Sequence, residues 1–289
     1  MKFKYTTLAT AIAFAFSAGT VFAQQAQDPN IRTEMADHDF DDKESHITQD
    51  GSDNEATTKQ TGNGGGTLGA YSVVDQTGNE NLSEVTQDSH ITYSRVRQEG
   101  NSHVADINQS GNANQYTYSW VDQYQGNSNT ATVTQVQSAV TGSVIVQSGS
   151  DNDATVNQQS HPYTLDFNES HIYQTGDLNF SNVNQTNAKA SFSDIFQVGD
   201  DNSADVTQEN APESDSDILQ IGNSNDAIVI QRDGSGSISD IIQEGDGHYA
   251  KATQLDNLQT STIHQSGGAA ITTHHQSGGS SNKATTIQN

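Results

Sequence analysis

The chain contains no cysteine, so it has neither a disulfide framework nor thiol chemistry. It is also short of apolar residues. Only 31% are hydrophobic, against about 45–50% in an ordinary globular domain, which excludes a conventional oily core for 289 residues. Positive charge is scarce too, with 11 Lys and Arg against 36 Asp and Glu. Nucleic acid and anionic lipid are bound through Lys and Arg, so neither is an expected partner. Beyond the first two dozen residues no run approaches the ~20 apolar residues of a membrane span, and membrane insertion is not expected. There is no P-loop, no HExxH and no Ser/His/Asp order with local support, so the expectation is a non-enzyme without a cofactor.

Residues 1–23 read as a secretory signal peptide. Lys2 and Lys4 supply a basic start, Leu8 to Phe16 a short apolar run, and Val21-Phe22-Ala23 a cleavage site before Gln24. Removing that leader leaves 9 basic residues against 36 acidic ones, a formal charge of −27, which favours solubility and opposes premature association. Residues 24–44 have no period and contain Pro29; they read as a flexible segment or an export tag. A secreted product at the cell surface or in an extracellular matrix is the expectation.

What the chain has in quantity is repetition. The frame is Ser193-x-Ile195-x-Gln197-x-Gly199-x-x-Asn202-x-Ala204-x-Val206-x-Gln208, and it recurs ten times over residues 45–276. The first Gln of each unit is Gln49, Gln76, Gln98, Gln123, Gln147, Gln174, Gln197, Gln220, Gln243 or Gln265. Four residues earlier stands Ser45, Ser72, Ser94, Ser119, Ser143, Ser170, Ser193, Ser216, Ser239 or Ser261. Two residues earlier stands Ile47, Val74, Val96, Val121, Ile145, Ile172, Ile195, Ile218, Ile241 or Ile263. Each unit closes on Gln60, Gln87, Gln109, Gln135, Gln158, Gln185, Gln208, Gln231, Gln254 or Gln276. The two Gln are 11 residues apart except in the fourth unit, where an extra residue lies between Gln123 and Gly126. Residues 277–289 hold a further half unit, Asn282-x-Ala284-x-Thr286-x-Gln288.

Alternation at a period of two predicts β-strands with one fixed inner face. Gly and Asn between them predict a turn. Each unit is thus strand–turn–strand, and the array is an all-β, amyloid-like β-solenoid of stacked parallel rungs. Ten rungs at ~4.8 Å would stand roughly 48 Å tall. With so little apolar residue to bury, stacked amides and backbone pairing carry the expected stability, through ladders of the Ser, Ile and Gln positions. No Pro-rich or helical cap stands at Ser45, and the half unit at the other end reads as another stackable strand rather than as the alternative, a cap, so the stack is expected to pair with itself, head to tail.

This repeat is similar to that of the curlin family, the subunits of bacterial curli, over residues 45–276. The resemblance implies a functional amyloid of a biofilm matrix, exported through an outer-membrane pore with accessory proteins and started by a nucleating minor subunit. Ten units exceed the five of the best-known members. Asn gives way to His103, His248 and Ala270, and the Val position becomes Thr58, Ala252 and His274. The regular units five to eight favour a major subunit over a nucleator-like one. The competing class is a soluble solenoid adhesin that stays monomeric.

Three smaller features stand beside the repeat. Val146, Tyr173, Phe196, Leu219 and Ile242 share one outward position and are expected to align as an exposed ridge for lateral contact. The ten His read as solvated; His274 and His275 would face opposite sides of a strand, a poor metal pair. Acidic turns such as Gly199-Asp200-Asp201-Asn202 read as solvated loops restraining early aggregation.

Overall fold

The computed structural model describes residues 43–61, 69–88, 91–111, 116–136, 140–159 and 167–289. The expected leader, and the following segment through residue 42, lie outside the described residues; Glu44 already opens the first strand. Among the described residues there are twenty-one β-strands and no helix.

The first rung is β1 (Glu44–Ser52) with β2 (Glu55–Gln60), and the second is β3 (Ala70–Asn79) with β4 (Leu82–Asp88). The third to fifth pair β5 (Ile91–Asn101) with β6 (Val104–Ser110), β7 (Tyr116–Asn127) with β8 (Thr130–Val136), and β9 (Val140–Ser148) with β10 (Asp153–Gln159). The sixth to eighth are β11 (Phe167–Thr175) and β12 (Phe180–Thr186), β13 (Phe192–Val198) and β14 (Ser203–Glu209), and β15 (Asp215–Ile221) and β16 (Asp226–Arg232). The ninth is β17 (Ile238–Gly245) with β18 (Tyr249–Leu255), the tenth β19 (Thr260–Gly267) with β20 (Ile271–Ser277). A half rung, β21 (Lys283–Gln288), follows.

Odd-numbered strands form one eleven-stranded sheet and even-numbered strands a ten-stranded sheet. Pairing is parallel and in register. Ser193, Ile195 and Gln197 lie beside Ser170, Ile172 and Gln174 on one side and Ser216, Ile218 and Gln220 on the other. Ala204, Val206 and Gln208 are matched in the same way in the facing sheet. The molecule is therefore a parallel β-solenoid of ten complete rungs. Burial alternates along β13 and β14, inner residues buried and outer ones half-exposed, as period-two patterning requires. The core is a double column of Ile, Val and Ala running from Val74 and Val85 to Ile263.

The tight turn explains the Gly of the repeat. Gly199 has φ 114°, and a Cβ placed there would meet the Gly222 carbonyl oxygen of the next rung at 2.1 Å. Only a residue without a side chain fits that approach. In the fourth rung the extra residue is absorbed at this turn: Glu99 pairs with Tyr124 and Asn101 with Asn127, the register shifting between them. Gln125 takes a left-handed φ of 54° there, and the inner columns resume unshifted.

Candidate functional site

The inner Gln side chains form two continuous amide columns. In the eleven-stranded sheet Nε2 of Gln49 donates to Oε1 of Gln76 at 2.7 Å, and the chain continues through Gln98, Gln123, Gln147, Gln174, Gln197, Gln220, Gln243 and Gln265 to Gln288 at 2.7–3.1 Å. In the facing sheet it runs from Gln60 through Gln87, Gln109, Gln135, Gln158, Gln185, Gln208, Gln231 and Gln254 to Gln276 at 2.8–3.1 Å. Every one of these bonds has the same sense: the amide nitrogen donates to the following rung. The second N–H crosses to the facing sheet. Gln197 donates to the Phe180 carbonyl at 3.0 Å, and Gln208 to the Phe192 carbonyl at 2.9 Å. Each amide thus joins its rung to the next and its sheet to the other. The crossing bonds were not foreseen from sequence, and Gln288 extends the column beyond the expected set.

The Ser column behaves differently. Ser94 donates to Ser72 at 3.0 Å, but the buried hydroxyls of Ser119, Ser143, Ser170, Ser193, Ser216 and Ser239 have no hydrogen-bond partner. Along that stretch Ser acts as a small spacer opposite the closing Gln of the other sheet, the place where Ser94 meets Gln87, and no hydroxyl ladder forms.

At the tight turn a third column runs in the opposite sense. Asn202 donates through its backbone N–H and Nδ2 to Oδ1 of Asn179 in the preceding rung, at 3.1 and 3.0 Å, and Nδ2 also reaches the Gly222 carbonyl at 2.8 Å. Where Asn is replaced, His takes over the acceptor. The Asn129 N–H donates to Nδ1 of His103 at 3.2 Å, and the Ala270 N–H to Nδ1 of His248 at 3.1 Å. A backbone N–H can only donate, so both rings carry an unprotonated Nδ1. Burial pushes the His103 imidazole down, against the pull of the Glu99 carbonyl. His103 and His248 are buried, which corrects the expectation of solvated His. His274 is buried as well, its Nδ1 2.8 Å from Ser261 Oγ and its Nε2 2.8 Å from Thr286 Oγ1. Burial pushes its pKa down. The visible signal was positional: His103 and His248 stand in the Asn slot.

The outward ridge is aligned as expected, Val146 beside Tyr173, Tyr173 beside Phe196, Phe196 beside Leu219 and Leu219 beside Ile242. It is not freely exposed. Leu219 is buried at 1% exposure and the others are half-buried, because large side chains one rung apart cover one another. Beside it lies His171, with Nδ1 2.9 Å from Asp194 Oδ1 and Nε2 3.4 Å from Glu169. Burial acts to lower its pKa, but the hydrogen bonds and charges of Asp194 and Glu169 outweigh it and raise it to about 10. The acidic turns are also structural. Asp200 Oδ1 accepts the Asp177 N–H at 2.9 Å, and Asp246 Oδ1 the Asn223 N–H at 2.7 Å. Among the described residues no group of three or more His, Asp or Glu is placed to hold a metal ion.

The two ends of the stack are open among the described residues. β1 pairs only with β3, and β21 only with β19. All of β1 is exposed, and Ile47, an inner-face residue, is 45% exposed where Ile195 is 0%. No protein-family model matches the chain, and no curated protein matches it.

Proposed function

We propose that this chain is the structural subunit of an extracellular amyloid-type fibre of the curli kind, assembled by stacking one copy on the next. The observation that carries the reading is the pair of Gln columns, which run unbroken and in one sense to both open edges. One edge offers amide donors and the other amide acceptors, as a self-templating stack requires. The acidic surface delays association until the edges meet. On this reading the chain is secreted to the cell surface as a major subunit, leaves through an outer-membrane pore served by accessory proteins, and elongates from a nucleating minor subunit.

The experiment is to leave the purified chain without its leader at neutral pH. A lag phase, shortening on addition of preformed seeds, and a diffraction ring at ~4.8 Å are expected. A folded monomer that persists for days would instead make the protein a solenoid adhesin.

A further inference from the structure

The half rung is of the wrong kind for its sheet. β21 stacks in the eleven-stranded sheet, where Ala284, Thr286 and Gln288 follow Ser261, Ile263 and Gln265. Yet its sequence, Asn282-Lys-Ala-Thr-Thr-Ile-Gln288, has the Asn-x-Ala pattern of the even-numbered strands. The strand it matches best lies at the other end of the molecule. β2 reads EATTKQ and β21 reads KATTIQ, with Ala, Thr, Thr and Gln in common and Glu55 answering Lys283. Thr at the central inner position occurs only in these two strands, as Thr58 and Thr286; elsewhere that position is Val, Ile, Ala or His. Thr58 Oγ1 is buried without a partner.

We infer that successive copies join with a half turn about the fibre axis, so that β2 of one copy pairs with β21 of the copy before and β1 with β20. The inference rests on the polymer reading above and specifies its joint. The two strands of a rung run in opposite directions on opposite sides of the axis. A half turn exchanges the sides and reverses the directions together, so every strand still meets a parallel neighbour and keeps its inner face inward. The eleven-stranded sheet ends on β21 and the ten-stranded sheet on β20. The next place in the spiral is therefore beside β20, and a rotated copy fills it with β1. An unrotated copy would set β1 on β21 and leave an empty strand position between β20 and β2, with unpaired backbone on both sides.

The chemistry of the joint follows the same arrangement. Gln276 would donate to Gln49 and Gln288 to Gln60, whose own Nε2 groups already donate onward to Gln76 and Gln87. Both columns thereby continue without a change of sense. Thr58 gains Thr286 as a hydroxyl partner, a favourable cross-strand pair. Lys283 meets Glu55 on the outer face. The turns also fit: Gln276 to Gln288 spans 12 residues and Gln49 to Gln60 spans 11, the same one-residue difference that the fourth rung absorbs.

The test uses the absence of native cysteine. Two chains are made, one carrying Thr57→Cys with Thr285→Cys and the other His46→Cys with Thr285→Cys. All three sites are exposed and face outward. In-register neighbours on parallel strands lie ~4.8 Å apart, within the Cα range of a disulfide. Fibres are formed under reduction, oxidised, and dissolved for a non-reducing gel. The half-turn joint predicts a ladder of covalent dimers and longer multimers for the Thr57/Thr285 chain and monomer for the His46/Thr285 chain. The reverse result, or monomer from both chains in well-formed fibres, overturns the joint and leaves the polymer standing. A native chain that forms no fibres removes the polymer and the joint with it.

Discussion

The Gln columns and the Asn column both stack side-chain amides at the rung spacing, yet the first pair is unbroken and the third is interrupted at His103, His248 and Ala270. The difference lies in how many bonds each position must make. An inner Gln accepts from the rung before, donates to the rung after and donates across to the facing backbone, as Gln197 does to Gln220 and Phe180. No other side chain of that length and neutrality supplies all three. The turn Asn has one indispensable duty, to accept the next rung's N–H, and Nδ1 of a neutral His performs it. The second function of Asn, bonding a Gly carbonyl, is replaced at His248 by Nε2 at 3.2 Å from the Glu244 carbonyl.

That contrast is broken most directly by Gln197→Leu. The Gln220 and Phe180 carbonyls lose a donor, and the Ser181 hydroxyl loses its acceptor in Gln197. At about 1–3 kcal/mol for each buried group left unpaired, the denaturant midpoint should fall by more than for Asn202→Leu, and an equal fall would refute the distinction. Next comes the turn itself. Asn202→Leu strands the Asn225 N–H, which now bonds Oδ1 of Asn202 at 3.1 Å, and takes the Nδ2 donor from the Gly222 carbonyl, at a cost of about 1–3 kcal/mol for each group. Asn202→His should recover at least half of that loss at pH 8, read in the same unfolding titration.

A pH series sharpens the comparison further. His103 is held neutral in the fold, its pKa lowered below the ordinary 6.5. The unfolded chain therefore takes up protons first, and stability falls as pH drops from about 6.5. His274 acts in the same direction. His171 is the reverse case: raised to about 10, it contributes fully below pH 6.5 and loses that contribution as pH rises toward 10. His103→Asn should restore the Asn column and flatten the acid limb of the stability curve, while leaving the alkaline limb unchanged. The smallest effect is expected at the idle hydroxyls. Ser193→Ala removes a buried group that bonds nothing, and its unfolding free energy should stay within about 0.5 kcal/mol of the native chain or rise slightly. A loss above about 1 kcal/mol would mean that the Ser column carries hydrogen bonds after all.

The solenoid was legible because Ile195, Gln197, Val206 and Gln208 repeat at a period of two between a Gly and an Asn, and that pattern specifies inner face and turn together. The extra residue in the fourth unit was visible in the same count. Other features depend on what a side chain meets once the rungs are stacked. Gln197 shows its amide in the sequence but not the direction of its donor. Ser193 and Ser94 are the same residue in the same slot, yet only Ser94 finds a bonding neighbour. Leu219 reads as outward and is outward, but Phe196 and Ile242 on adjacent rungs bury it. The placement of β21 on the odd-numbered side follows from the topology of the spiral, which its Asn-x-Ala pattern contradicts.

The shared sense of the Gln bonds gives the molecule an electrical axis. Paired strands contribute little net dipole because their peptide groups alternate. The primary amides of both Gln columns point one way, against the interrupted Asn column at the tight turn. Their dipoles add, much as peptide dipoles add along a helix. A long stack of such copies would carry a field from one tip to the other, and its two tips would capture incoming subunits at unequal rates.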